Sequence, residues 1–217
     1  MKLGLKLFCT LLLLAMFAFN TAAVHAKSPK SVLKDLKKRY KKIETLQADF
    51  KEIYEWAHTG DKIQRSGQII LAQGQRFKID TQEQLIVCDN ISIFRHNKIK
   101  SQVIIEPIEN NTDNLLPRKL LLNFADEFKA ENLLELPVNR KLGYRIDLIA
   151  DKPDEALISS ATLWVTKEDK TIRRLRFVDL NGNLTTYFLS NIMLNQQVDS
   201  TMTTFELPPE VEVFDLR

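Results

Sequence analysis

The sequence contains few of the residues that carry chemistry: 2 cysteines, 3 histidines and 6 glycines among 217 residues. Neither a Cys-x-x-Cys nor a His-Glu-x-x-His spacing occurs, and a Gly-rich phosphate loop and a Gly-x-Ser-x-Gly elbow are also missing. Ser31 and Lys34 match Ser-x-x-Lys, but the partner motifs of serine acyl enzymes are absent and chance explains the match. We therefore expect a protein that is not an enzyme and that has no metal or other cofactor.

An excess of charge of one sign is also lacking. The net charge is +3, and removing the N-terminal residues discussed next would remove Lys2 and Lys6 and lower it to +1. Nucleic-acid binding usually requires a concentrated basic face, so we predict no nucleic-acid partner. The lysines and Arg39 between residues 34 and 42 are interpreted as the solvated face of a helix.

The first 26 residues have the pattern of a secretory signal peptide. Lys2 and Lys6 precede an apolar stretch over residues 7–19, and Val24-His25-Ala26 is a small-x-small cleavage site. The apolar stretch is shorter than the roughly 20 residues that span a bilayer. Cys9 lacks the small residues that precede a lipidated cysteine, so we expect no lipid anchor. We predict cleavage after Ala26, export to the periplasm, and a single domain over residues 27–217.

Hydrophobic periodicity predicts a helix followed by many strands. Ser28 and Pro29 form a helix start, after which Leu33, Leu36 and Tyr40 recur at helical spacing. Alternation then predicts a long strand over residues 46–56 and a meander of shorter strands. The shorter strands cover residues 67–72, 76–80, 85–88, 91–94, 102–105, 144–149, 162–166, 172–178, 184–189 and a final region ending near 203–207.

A second amphipathic helix is predicted over residues 114–130, where six apolar residues recur at helical spacing. Asn181-Gly182 predicts a tight hairpin turn. Cys88 ends an apolar run and is interpreted as a small buried hydrophobe. The sketch is one strongly curved antiparallel sheet with helices over its open face, and periodicity leaves open whether that face is filled or hollow.

Several segments together resemble the bacterial outer-membrane lipoprotein carrier family, LolA. They are residues 40–50 (YKKIETLQADF), 66–71 (SGQIIL), 75–79 (QRFKI), 85–90 (LIVCDN), 179–183 (DLNGN), Asn191-Ile192 with Asn195, and 205–213 (FELPPEVEV). The resemblance covers essentially the whole chain after residue 26, and it rests on the order and spacing of these segments together.

The resemblance implies a mainly β fold with a helical lid, in which about eleven antiparallel strands form a half-open barrel around an apolar cavity. It also implies a periplasmic, monomeric chaperone that takes lipoprotein acyl chains from an inner-membrane ABC transporter to an outer-membrane acceptor. Fourteen apolar residues are the expected lining of the cavity and lid: Leu33, Leu36, Tyr40, Phe50, Phe77, Ile79, Phe94, Leu116, Leu120, Leu121, Phe124, Phe128, Phe177 and Phe188.

One departure from the family concerns the lid. Members commonly carry a basic residue and a proline where this chain has Gln73-Gly74, and that basic residue helps to hold the lid closed. Lid control and ligand specificity therefore stay open, and so does the alternative that the chain carries another lipid or a glycolipid on the same fold.

Overall fold

The computed structural model describes residues 27–110, 121–122 and 124–217. Its first element is the helix α1, Pro29–Tyr40, which begins as predicted: the Ser28 hydroxyl oxygen accepts a hydrogen bond from the Ser31 amide at 3.2 Å. Pro29 occupies the first turn, where a missing N–H costs nothing. Val32, Leu33, Leu36 and Tyr40 form the buried side of α1, opposite its lysines.

The twelve strands found in the described residues belong to one sheet. They are β1 Leu46–Glu55, β2 Lys62–Leu71, β3 Phe77–Thr81, β4 Gln84–Cys88, β5 Ser92–Asn97, β6 Gln102–Pro107, β7 Phe128–Val138, β8 Lys141–Ala150, β9 Ile158–Thr166, β10 Ile172–Asp179, β11 Leu184–Leu194 and β12 Glu212–Asp215. Their spatial order is β12-β6-β5-β4-β3-β2-β1-β11-β10-β9-β8-β7. The sheet is open and curved, and all of its pairings are antiparallel except the parallel pairing of β12 with β6. The predicted fold class is thereby confirmed.

Two meanders build this sheet. Strands β1 to β6 run outward from the centre in chain order, and β7 to β11 return from the far edge to pair with β1. The predicted hairpin between β10 and β11 is confirmed, because Gly182 has a φ of +80° and the Asp179 carboxylate accepts from the amides of Asn181 and Asn183. The β1–β11 pairing therefore joins the two halves of the molecule.

The sheet has an inner face, which carries the main core and packs against α1, and an outer face. Leu46, Ala48 and Phe50 of β1 point to the inner face, whereas Gln47, Asp49 and Lys51 alternate with them. Leu121 and Leu122 belong to the same core. Cys88 is fully buried in it, as predicted, and its thiol is free.

The predicted helix over residues 114–130 is wrong at its C-terminal end. Phe124–Glu127 form a 3₁₀ turn, and Phe128–Val138 form the edge strand β7, which the periodicity did not predict. A bulge between Ala130 and Asn132 shifts the alternation within β7, so that its apolar residues lose the two-residue period. Residues 111–120, which include Leu116 and Leu120, lie outside the described residues.

The C-terminus also differs from the expectation. Ser200–Thr203 form a 3₁₀ turn where a last strand was predicted, and the last strand is the later β12. Between these elements, Phe205 stacks on Phe94 of β5, with ring centroids 4.8 Å apart. Val87 and Val103, fully buried and outside the main core cluster, share the face of Phe94, so this segment covers part of the outer face.

Candidate functional site

A cavity of about 380 Å³ lies against the inner face of β1 to β4 and β11. It falls at the small end of the roughly 300–1,000 Å³ typical of ligand pockets. Its apolar wall consists of Phe50, Ile69, Ile79, Ile86, Ile99, Leu121 and Leu189, and its polar lining consists of Glu52, Arg65, Thr81, Glu83, Gln84, Asn97 and Tyr187. One end is thus suited to hydrocarbon and the other to hydrogen-bonding groups.

Strand register assembles the apolar wall. Ile69 of β2 lies opposite Ile79 of β3, and Ile79 lies opposite Ile86 of β4, so the three isoleucines form a row across three strands. On the other side, Phe50 of β1 lies opposite Leu189 of β11. Because side chains two residues apart share a face, the alternating pattern of each strand contributes one member to this wall.

A polar row, formed by Glu52, Arg65 and Tyr187, lies beside the apolar wall. Glu52 of β1 is directly opposite Arg65 of β2 and Tyr187 of β11. The Tyr187 hydroxyl donates to Glu52 Oε1 at 3.0 Å, and Arg65 Nη1 lies 3.9 Å from Glu52 Oε2. Burial, reinforced by the Glu52 carboxylate, raises the pKa of Tyr187 far above its ordinary value. Tyr187 therefore remains a neutral hydrogen-bond donor at any physiological pH.

Three of the residues predicted from the sequence line this cavity: Phe50, Ile79 and Leu121. Six others belong to the closed part of the inner-face core: Leu33, Leu36, Tyr40, Phe77, Phe128 and Phe177. These six pack beside the cavity without lining it. These nine residues lie on the inner face, and six of them fill that face.

The remaining predicted residues lie elsewhere. Phe94 and Phe188 point to the outer face, where Phe94 meets Phe205 and Phe188 lies under the guanidinium of Arg174 at 5.0 Å. Leu116, Leu120 and the side chain of Phe124 fall outside the described residues.

The helix α1 is fastened to the sheet by polar contacts. The Tyr40 hydroxyl accepts a buried hydrogen bond from the Ile172 amide at 2.8 Å, and burial raises the pKa of Tyr40 to about 12. Lys170 forms an ion pair at 3.3 Å with Asp35, in the middle of the helix. If α1 moved to admit a ligand, these contacts would have to break.

Gln73 and Gly74, which replace the family's basic-proline step, form part of a turn. The Gln73 amide donates to Glu44 Oε2 at 2.8 Å, and its backbone oxygen accepts from Arg76 Nε at 3.4 Å. Gly74 has a φ of +73°, a conformation that favours glycine. Gln73 thus fastens the β2–β3 connection to the residues that precede β1.

The sequence did not single out the polar row or most of the isoleucines. Glu52 and Arg65 had the pattern of ordinary surface charges, and Tyr187 followed an unremarkable Thr-Thr pair. The signal that was available is the strand alternation itself: Glu52 is in phase with the buried Ala48 and Phe50. A charged residue that alternates in phase with core residues indicates a polar site on the buried face. The partners of that residue are given only by the strand register.

The described residues contain no group of three or more His, Cys, Asp and Glu side chains that could hold a metal ion. Within the same ranges, every helical segment is too short or too polar to cross a bilayer. Burial raises the pKa of the Cys88 thiol, which keeps it in the protonated, less reactive form.

The structure is an open half-barrel with a cavity on its inner face, and the cavity is apolar with a polar rim. These features define the class of this protein: a β fold that carries a cavity. The family model of the outer membrane lipoprotein carrier protein LolA matches residues 41–206. The chain therefore belongs to the LolA family. Members of this family are periplasmic, and their fold is that of lipid- and lipoprotein-binding carriers.

The chain is similar to several solved structures at low sequence identity. A conserved protein from Thermus thermophilus superposes with a TM-score of 0.52 at 11% identity, over 84% of this chain and 96% of the other. A LolA superfamily protein from Nitrosomonas europaea gives 0.41 at 11% identity, over 83% and 99%. A DUF1329 family protein from Desulfovibrio piger gives 0.46 at 13%, over 82% and 98%. None of the curated proteins matches the chain in sequence.

Proposed function

We propose that this protein is a periplasmic chaperone that carries lipoprotein acyl chains in the cavity beneath its inner face. In this proposal residues 1–26 are a signal peptide cleaved after Ala26, and residues 27–217 form a monomeric, single-domain carrier without catalytic activity. The carrier receives lipoproteins from an inner-membrane ABC transporter and delivers them to an acceptor at the outer membrane.

The observation that carries the proposal is the apolar wall of Phe50, Ile69, Ile79, Ile86 and Leu189 around an open volume, in a chain of the LolA family. Each methylene group withdrawn from water contributes about 0.8 kcal/mol, so an acyl chain gains substantially by entering such a cavity. The cavity can hold part of a lipid anchor and release it again because no covalent bond is formed.

A release assay tests the proposal. The mature chain, residues 27–217, is mixed with proteoliposomes that contain the transporter and a labelled lipoprotein, and the supernatant is analysed for a soluble complex. We expect a one-to-one complex with the wild-type protein. Absence of release, combined with uptake of free lipid, would instead favour a carrier of another lipid.

Two matched variants locate the binding. Ile86→Trp places a larger side chain in the cavity, whereas Ile149→Trp makes the same change at an exposed position on the outer face. We expect Ile86→Trp to lose release and Ile149→Trp to retain it. Equal release by both variants would show that the acyl chains bind outside the cavity.

A further inference from the structure

The polar row of Glu52, Arg65 and Tyr187 has apolar surface on both of its sides. On one side is the cavity with Phe50 and Ile69. On the other side is a recess of about 250 Å³ lined by Tyr54, Trp56 and Ile63, which shares Glu52 and Arg65 with the cavity. We refer to this second hollow as the aromatic recess. The inner face of β1 and β2 is thus apolar, polar and apolar again along the strands.

The aromatic recess has the character of a binding surface. The rings of Tyr54 and Trp56 meet edge to face, with centroids 4.8 Å apart, which fixes both side chains. Trp56 and Ile63 nevertheless remain 36% and 41% exposed. Tyr54 also lies opposite Ile63 across the β1–β2 ladder, so the recess is built on paired strands. It offers a short apolar surface to a group emerging from the cavity.

Within the polar row, Glu52 is poorly compensated for its burial. Its side chain is 18% exposed, while its ion-pair partner Arg65 is 52% exposed and stands at 3.9 Å, near the limit of a salt bridge. A carboxylate offers about four acceptor positions, and Tyr187 is the hydrogen-bond partner found for it within the described residues. A carboxylate that is removed from water without enough hydrogen-bond or charged partners lowers the stability of the fold. Such groups are common in binding sites.

We propose that the polar row binds an amide group that joins two apolar arms of one ligand. The Glu52 carboxylate accepts the amide N–H, Arg65 donates to the amide carbonyl oxygen, the longer arm fills the cavity and the shorter arm lies in the aromatic recess. The ligand class is therefore an N-acylated amine, and an acyl ester is the poorer ligand because it has no N–H to donate. This inference rests on the proposed function, since it names the chemical group of the acylated ligand that the cavity selects.

The test compares two ligands that differ in one group. N-butyldodecanamide and butyl dodecanoate have the same two arms, and only the amide can donate to Glu52. Their dissociation constants are measured by displacement of the fluorescent dye 8-anilinonaphthalene-1-sulfonate from the mature protein. We expect the amide to bind at least about tenfold more tightly, because the extra hydrogen bond is made to a charged group. Equal affinities would overturn the inference.

A double variant assigns the preference to the row. E52L/Y187F removes the carboxylate and the hydroxyl together, so no buried polar atom loses its partner. We expect both ligands to bind this variant with the same affinity. If the double variant does not fold, Glu52→Gln serves in its place and should reduce the preference, because a neutral amide is the weaker acceptor. Asp147→Asn, which alters the Arg145–Asp147 ion pair outside the cavity lining, should leave it unchanged.

The second arm has its own test. N-methyldodecanamide lacks three methylene groups of the butyl arm. Because the recess is partly exposed and buries only part of each group, we expect it to bind about tenfold more weakly than N-butyldodecanamide. Trp56→Ala should abolish most of that difference, and an undiminished difference would exclude the aromatic recess. Failure of every ligand to displace the dye would refute the proposed function, whereas binding without amide preference would refute this inference alone.

Discussion

At the scale of single residues, Tyr40 connects the helix to the sheet through a buried hydrogen bond. Its hydroxyl accepts from the buried Ile172 amide at 2.8 Å. Tyr40→Phe leaves that N–H without a partner, so we expect a loss of about 1–3 kcal/mol in the free energy of unfolding. Urea unfolding measures the loss. Tyr54→Phe, at the more exposed Tyr54, is the control and should cost less than half as much.

The same tyrosine predicts a dependence of stability on alkaline pH. The pKa of Tyr40 rises from 10.0 in the unfolded chain to about 12 in the fold, mainly because burial disfavours the phenolate. The unfolded chain therefore releases this proton first, and the stabilisation is complete below pH 10 and lost as the pH rises toward 12. We expect urea midpoints to fall over this range, and to fall less in Tyr40→Phe. The same slope in both proteins would contradict the assignment.

The candidate site shows what single residues reveal in a sequence. Alternating large apolar side chains placed Phe50 and Ile79 on a buried face, and the resemblance to the LolA family made that face the expected cavity wall. Glu52 and Arg65 were not identified: alternation puts Glu52 in phase with Phe50, but a charged residue in a strand does not show in sequence which residues it will meet. Only the register of β1 with β2 and β11 brings them together.

At the scale of elements, sequence patterns correctly predicted those features that depend on interactions between residues close together in the chain. The start of α1 and the β10–β11 turn follow from capping and turn chemistry within a few residues. Strand β7 could not be predicted because its bulge breaks the alternation and its pairing with β8 overrides a helix-like spacing. Strand β12 is four exposed residues paired in parallel with a distant strand, so its sequence carries no periodic signal.

The contact between β2 and β3 depends on Gly67. A Cβ at this position would lie 2.1 Å from the Asp80 carbonyl oxygen of the adjacent strand, closer than any real contact allows. We expect Gly67→Ala to cost about 3 kcal/mol or more in unfolding free energy, because backbone must move to admit the methyl group. The control is Gly60→Ala. Gly60 has a φ of +72° and open space around an added Cβ, so this substitution should cost about 1 kcal/mol in unfolding free energy. Equal costs would mean that β2 and β3 separate easily.

The C-terminal segment before β12 gives another prediction for an element. Phe205 stacks on Phe94 at 4.8 Å over the outer face. Phe205→Ala should cost about 2 kcal/mol in the free energy of unfolding, through lost apolar burial and ring stacking. Phe214→Ala removes a ring that is 43% exposed on β12 and should cost less than half as much. Faster hydrogen exchange in β4 to β6 of the first variant alone would confirm that the segment covers these strands.

At the scale of the whole molecule, the hollow arises where the two meanders join. Phe50 of β1 and Leu189 of β11 come from different halves of the chain, and Leu121 adds a third segment. The helix α1 packs against β7, and none of the described residues that line the cavity belongs to α1. A ligand in the cavity would therefore contact both halves and strengthen their association.

This arrangement predicts that a cavity ligand raises the stability of the entire fold. At a free concentration 100 times its dissociation constant, N-butyldodecanamide should add about 2.7 kcal/mol, provided that it does not bind the unfolded chain. For a chain of this size, that corresponds to a rise in Tm of about 5–11 °C. Ile86→Trp should keep its own stability and lose this rise, because the ring occupies the hollow. Ile146→Trp, placed in the filled core, should lose about 1–3 kcal/mol from overpacking. If Ile86→Trp were destabilised as much as Ile146→Trp, the inner face would be filled in solution and would have no room for a lipid.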